Sequence, residues 1–153
     1  AESYLHFIVD NLVPYLSEVY SGDSSNLTLT GHSLGGYFGF FALFNSDTIG
    51  KNLFRNYYIG SPSMQAYTGL YDAYDYEEAY FSRKSNLDSN VYVTVGSEES
   101  QGFCMPIEMF IKTIQERSYS GLSLEYEVIE GYDHNTVFKP SIKNTLLKYY
   151  GKQ

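Results

Sequence analysis

The chain has 153 residues, a formal net charge of −8, 43% hydrophobic and 18% aromatic residues, three histidines and one cysteine. Its scattered Lys and Arg in an acidic background argue against nucleic-acid and anionic-membrane partners. The lone Cys104 excludes an internal disulfide and reads as a small apolar side chain, and no His or Cys pair stands at metal-ligand spacing.

The length suits a single domain over residues 1–153, burying about 70% of its unfolded surface. No transmembrane run or signal peptide is read, because the chain starts directly in helix-like Glu2-Ser3-Tyr4-Leu5. A soluble protein is expected, cytoplasmic, or secreted or periplasmic if a signal precedes Ala1.

Leu5, Ile8, Leu12, Leu16 and Val19 keep one helical face, broken near Pro14, which lacks the N–H a helix interior needs. Strands are expected at about 26–30, 56–60, 90–95 and 122–129. Between them fall an apolar helix at 34–45, a polar helix near 75–84 and a helix from Pro106 to Arg117, with proline in its first turn. Pro140 to Tyr150 closes the chain as a helix with Ile142, Leu146 and Leu147 inward. Alternating strands and helices imply an α/β fold with a mostly parallel sheet covered on both faces. Ser123, Glu125 and Glu127 share one face of the last strand, as suits an edge protected by charge.

The strand Leu27-Thr28-Leu29-Thr30 runs into Gly31-His32-Ser33-Leu34-Gly35, a Gly-x-Ser-x-Gly pattern in strand–turn–helix context. It reads as a nucleophile elbow, in which Ser33 sits on a strained turn and the Leu34 N–H faces the same space as an oxyanion donor. Three glycines on the following helix, Gly35, Gly36 and Gly39, suggest close backbone approach. A serine needs a base to take its proton and a third group to orient that base. Of the three histidines, His32 lies inside the elbow with its side chain expected to point away from Ser33 and to pack. His6 lies on the first helix, and His134 lies in a loop at the C-terminal end of a strand, where ligand sites collect. The acid is expected after Val91-Tyr92-Val93-Thr94-Val95-Gly96, at Glu99, with Glu98 as the alternative.

Taken in order, Gly31-His32-Ser33-Leu34-Gly35-Gly36, Gly60-Ser61-Pro62-Ser63, Val95-Gly96-Ser97-Glu98-Glu99 and Gly131-Tyr132-Asp133-His134 resemble the landmarks of the Putative esterase family of α/β-hydrolases. That family includes siderophore esterases, S-formylglutathione hydrolases, feruloyl and acetylxylan esterases and mycolyltransferases, and the Ser-Pro-Ser element favours the siderophore-esterase-like branch. The resemblance implies an α/β-hydrolase fold, a small-molecule ester or thioester substrate, an acyl-enzyme on Ser33, no cofactor, and substrate contacts from Ser61, Ser63 and His32. It covers only the C-terminal half of such a fold, so the N-terminal strands and the second oxyanion donor are expected to be missing from this chain.

The expected function is a serine esterase with Ser33, Glu99 and His134 as its triad. The alternatives are a partial or non-catalytic α/β-hydrolase domain acting as a binding or assembly module, and an acyltransferase. The strand at 26–30 would then have an open edge, and association with a complementing N-terminal chain or a second copy is expected there. Met64 to Tyr80, with Tyr67, Tyr71, Tyr74, Tyr76 and Tyr80 among Asp72, Asp75, Glu77 and Glu78, reads either as a cap over Ser33 or as an ordinary segment of a chain containing 17 tyrosines.

Overall fold

The computed structural model describes residues 1–21, 23–64 and 73–151. The elements are α1 (Glu2–Phe7), a π-helical turn (Ile8–Leu12), α2 (Val13–Tyr20), β1 (Leu27–His32), α3 (Leu34–Phe44), β2 (Phe54–Gly60) and α4 (Ala73–Arg83), followed by β3 (Asn86–Gly96), α5 (Gln101–Arg117), β4 (Ser120–Ile129) and α6 (Phe138–Tyr150). The four strands form one parallel sheet in the order β1-β2-β3-β4, the expected α/β arrangement. His32 pairs with Gly60, Gly60 with Thr94, and Gly96 with Ile129. The C-terminal ends of all four strands therefore finish along one rim, and Ser33, Ser61, Glu99 and His134 all follow strand ends there.

Side chains alternate along a strand, and the two faces of this sheet differ. Tyr57, Ile59, Val91, Val93 and Val95 join the main core with Phe40, Phe44 and Phe110 from α3 and α5, where Phe40 meets Phe110 edge-on at 4.9 Å. The opposite face presents hydroxyl groups. Thr94 Oγ1 donates to Ser141 Oγ of α6 at 3.1 Å, and Tyr58 pairs with Thr94 at 3.3 Å.

That polarity corrects the reading of the last helix. Ser141 and Thr145 are its buried residues, while Leu146 and Leu147 are 54% and 61% exposed. A hydroxyl-lined sheet face is matched by hydroxyls, not by the leucines that an apolar-stripe rule turns inward. The first helix is corrected too. Leu5, Ile8 and Val9 are buried, but Leu16 and Val19 are exposed. The N–H of Val13 reaches Ile8 O, five residues back. This wide turn accommodates Pro14 and adds a residue, which rotates α2 so that the earlier face does not continue. Pro106 lies inside α5, which begins five residues earlier at Gln101.

Within Met64 to Tyr80, Tyr67, Tyr71 and Asp72 lie outside the described residues. The described part belongs to the core and its margin. Tyr74 meets Phe110 and Tyr76 meets Phe41, each at 4.9 Å, and Tyr80 is 2% exposed. Glu77, 1% exposed, accepts from Tyr119 Oη at 2.6 Å and pairs with Arg117 at 3.1 Å. These residues fasten α4 to α5 and β4 instead of covering Ser33. Among the described residues β1 has a strand on one side only, and no helix is long and apolar enough to cross a membrane.

Two glycines let the rim close. A Cβ on Gly31 would lie 2.0 Å from Gly35 O, and one on Gly96 would lie 2.0 Å from Tyr132 O. Gly36 and Gly39 also meet β2 or the turn after it, but Gly35 has open space where its Cβ would be, so the three helix glycines do not act alike. Gly31→Ala and Gly96→Ala should each lower the unfolding free energy by about 2 kcal/mol or more, while Gly35→Ala should change it by less than about 1 kcal/mol. Chemical denaturation of the three variants checks this, and equal tolerance at all three sites would contradict it.

Candidate active site

β1 passes into α3 through the single residue Ser33, with φ 58° and ψ −117°. This is a region that side-chain-bearing residues rarely enter, at a cost of order 1–3 kcal/mol. Neighbouring backbone holds it there: the Ser33 N–H donates to Gly60 O at 2.9 Å, and Ser33 O accepts from the N–H groups of Ser63 and Tyr37, both at 3.0 Å. The hydroxyl is thereby lifted off the backbone. Leu34 opens α3 and is 54% exposed, and its N–H, in the first turn, has no intrahelical acceptor. It belongs to the N-terminal turn of α3, where the helix carries partial positive charge, next in sequence to Ser33.

The loop after β4 supplies His134. Asp133 Oδ1 accepts from the N–H groups of Asn135 and Thr136, both at 2.9 Å, closing an Asx turn that fixes the loop. His32 Nε2–H donates to the backbone oxygen of His134 at 2.8 Å, and the Phe103 ring meets the His134 ring edge-on at 4.9 Å. His32 Nδ1 is buried and has no hydrogen-bond partner among the described residues, and burial, the largest influence on that ring, pushes its pKa below the usual value. His32 thus ties the His134 backbone to the end of β1.

Glu99 folds back onto the end of β3. Its Oε1 accepts from the Gly96 N–H at 2.7 Å and from Ser61 Oγ at 2.6 Å. Its Oε2 lies 2.8 Å from His134 Nδ1, with the Glu99 side chain 2% and the His134 side chain 34% exposed. On the other side of the ring, His134 Nε2 stands 3.0 Å from Ser33 Oγ. Ser63 Oγ also stands 3.0 Å from Ser33 Oγ.

The fold thus brings together Ser33, His134 and Glu99 from three separate loops. Glu98 takes another direction: its N–H donates to Tyr132 O at 3.0 Å, and its exposed side chain lines an adjoining cleft of about 340 Å³ with Phe103, Asp133 and Asn135. A second cleft of about 460 Å³ is lined by His32, Ser33, His134, Asn135 and Phe138. Ser63 is half-buried beside Ser33. The expectation that Ser61 contacts substrate is corrected, because Ser61 is 0% exposed and its hydroxyl is directed inward to Glu99. His6 is paired with Asp10 on an exposed helical surface at 2.9 Å. Phe103, Phe138 and the anchoring role of Ser61 were not identified from sequence, since nothing local marks a contact made across separate loops. A larger cleft of about 500 Å³, lined by Lys51, Arg55, Lys84 and Asp88 among others, contains no histidine. No group of three metal-ligating side chains occurs among the described residues.

Comparison with known proteins places this arrangement in context. The chain is similar in structure to the BES protein from Bacillus cereus, with a TM-score of 0.79 and 26% identity, over 95% of this chain and 53% of that one. It is also similar to the siderophore hydrolase EstA from Aspergillus nidulans, with a TM-score of 0.75 and 20% identity over 97% and 56% of the two chains. For the S-formylglutathione hydrolase FrmB from Staphylococcus aureus the TM-score is 0.70 and the identity 14%, over 96% and 62%. The chain spans about half the length of the first two. A search of curated proteins gave no match. The family model described as Putative esterase matches residues 1–149, and the chain belongs to that family.

Proposed function

We propose that the chain carries the catalytic residues of a serine hydrolase acting on a carboxylic ester or thioester. The observation that carries this reading is the unbroken line from Glu99 Oε2 through His134 to Ser33 Oγ, at 2.8 and 3.0 Å. Ser33 Oγ attacks the acyl carbon while His134 Nε2 takes its proton, and Glu99 orients the ring and stabilises the imidazolium that forms. The Leu34 N–H donates to the developing oxyanion. His134 then returns the proton to the leaving oxygen or sulfur, leaving an acyl group on Ser33. A water deprotonated by His134 hydrolyses that intermediate and restores Ser33. No step calls for a cofactor. Family membership supports ester hydrolysis, and structural neighbours named as siderophore hydrolases make siderophore-type esters the first substrates to assay.

A fluorophosphonate should label one residue, Ser33, with loss of fluoride. Peptide mapping is expected to find no adduct in Ser33→Ala and strongly slowed labelling in His134→Ala. An adduct elsewhere would remove Ser33 from the role.

The acid is tested separately. Glu99→Gln should lower kcat by orders of magnitude with little change in KM, because the lost interaction strengthens as imidazolium forms. Glu98→Gln should be mild. The reverse ranking would transfer the role to Glu98, and two mild effects would leave a Ser33–His134 dyad.

We also propose that the free edge of β1 pairs with a strand supplied by an N-terminal segment or a second copy. Support comes from the one-sided pairing of β1 and from the apolar exposure of Tyr4, Phe7, Tyr15, Leu16 and Val19. Sedimentation of this chain should show association at micromolar concentration, with hydrogen exchange slowing at Leu27 to Thr30 as it associates. A monomer whose edge amides are fully protected would overturn this.

A further inference from the structure

Ser61 is 0% exposed, and its backbone is held at φ 38°, a left-handed conformation unusual for a residue with a side chain. Its N–H donates to Thr94 O at 2.7 Å, and its hydroxyl donates to Glu99 Oε1 at 2.6 Å. Two residues on, Ser63 touches the hydroxyl of Ser33, and Pro62 between them fixes φ and so stiffens the link. A costly backbone conformation has therefore been kept at a buried position whose side chain meets the proposed catalytic acid.

A glutamate carboxylate swings on three torsions, so one hydrogen bond does not define where its second oxygen points. Gly96 N–H and Ser61 Oγ–H together hold Oε1, which leaves Oε2 aimed at His134 Nδ1. Without that hydroxyl Oε2 is free to turn away, and an imidazolium on His134 then lacks its aimed partner.

We propose that Ser61 is a positioning residue that acts through Glu99, fixing the direction of its Oε2 toward His134 Nδ1. This rests on the reading of Ser33, His134 and Glu99 given under Proposed function. Among the described residues, the titratable groups that bear on His134 are Glu99 from the β3–α5 loop, His32 from the end of β1 and Asp133 from its own loop, with Cys104 of α5, Tyr58 of β2 and Tyr126 of β4 bearing on Glu99. Removing the Ser61 hydroxyl alters none of these groups directly except Glu99.

The experiment is the rate of fluorophosphonate labelling of Ser33 against pH, measured on the whole protein in Ser61→Ala, Ser61→Gly, Glu99→Gln and the double variant Ser61→Ala/Glu99→Gln. Both Ser61 variants should label about tenfold more slowly, and the acid limb of the profile should move to lower pH as the imidazolium of His134 loses its aimed partner. Ser61→Gly suits the positive φ, so it reports loss of the hydroxyl even if Ser61→Ala folds poorly. In the Glu99→Gln background Ser61→Ala should add almost nothing, the non-additivity of residues acting through one another. Ser61 variants with the parent rate and acid limb, or effects that simply add to that of Glu99→Gln, would overturn the proposal while leaving the triad reading standing. A Glu99→Gln variant that labels like the parent would instead overturn the triad reading itself.

Discussion

The site depends on holding Ser33 in a backbone conformation that it would not adopt alone. A turn at φ 58° and ψ −117° costs of order 1–3 kcal/mol, and it persists because the end of β2 grips it from both sides, through Gly60 O and the Ser63 N–H. The parallel register makes this grip available by ending β1 and β2 level, with His32 beside Gly60. The strain is thus a property of two strands and the turn that follows the second.

The same stretch of chain that steadies Ser33 also steadies Glu99. Gly60, Ser61 and Ser63 connect the elbow to Glu99, and the close approach of Gly96 to Tyr132 O sets the acid loop against the histidine loop. His32 closes the circuit from the other side through the backbone oxygen of His134. Three loops far apart in sequence are therefore constrained by short backbone contacts at one rim. These contacts hold His134 Nε2 and Ser33 Oγ 3.0 Å apart in the chain alone.

Much of this was legible in the sequence where the signal is local. Gly31-x-Ser33-x-Gly35 between an alternating strand and an apolar helix marks the elbow, and Glu99 and His134 follow β-prone runs at strand ends. The adjacent choice between Glu98 and Glu99 depends on which way each side chain leaves the turn, which only the folded loop decides. Ser61 looked like a substrate contact because its neighbours form a motif, yet it is wholly buried against the acid. Leu146 and Leu147 were misplaced for a different reason. A helical stripe identifies an apolar face but not what it meets, and here the sheet offers Thr94 and Tyr58 to Ser141 instead. At Pro14 the missing N–H was visible, but its resolution as a π-helical turn that rotates α2 away was not.

The central claim is that His134 is held with its Nδ1 proton on Glu99 and its Nε2 bare toward Ser33. Nitrogen-15 and proton correlation spectra of the imidazole side chains test it directly at a pH where the ring is neutral. The expected result is a His134 ring in the Nδ1–H tautomer, whose Nδ1 proton resonates far downfield and is protected from solvent. A His134 ring in the Nε2–H tautomer, or one exchanging freely between the two forms, would contradict the account.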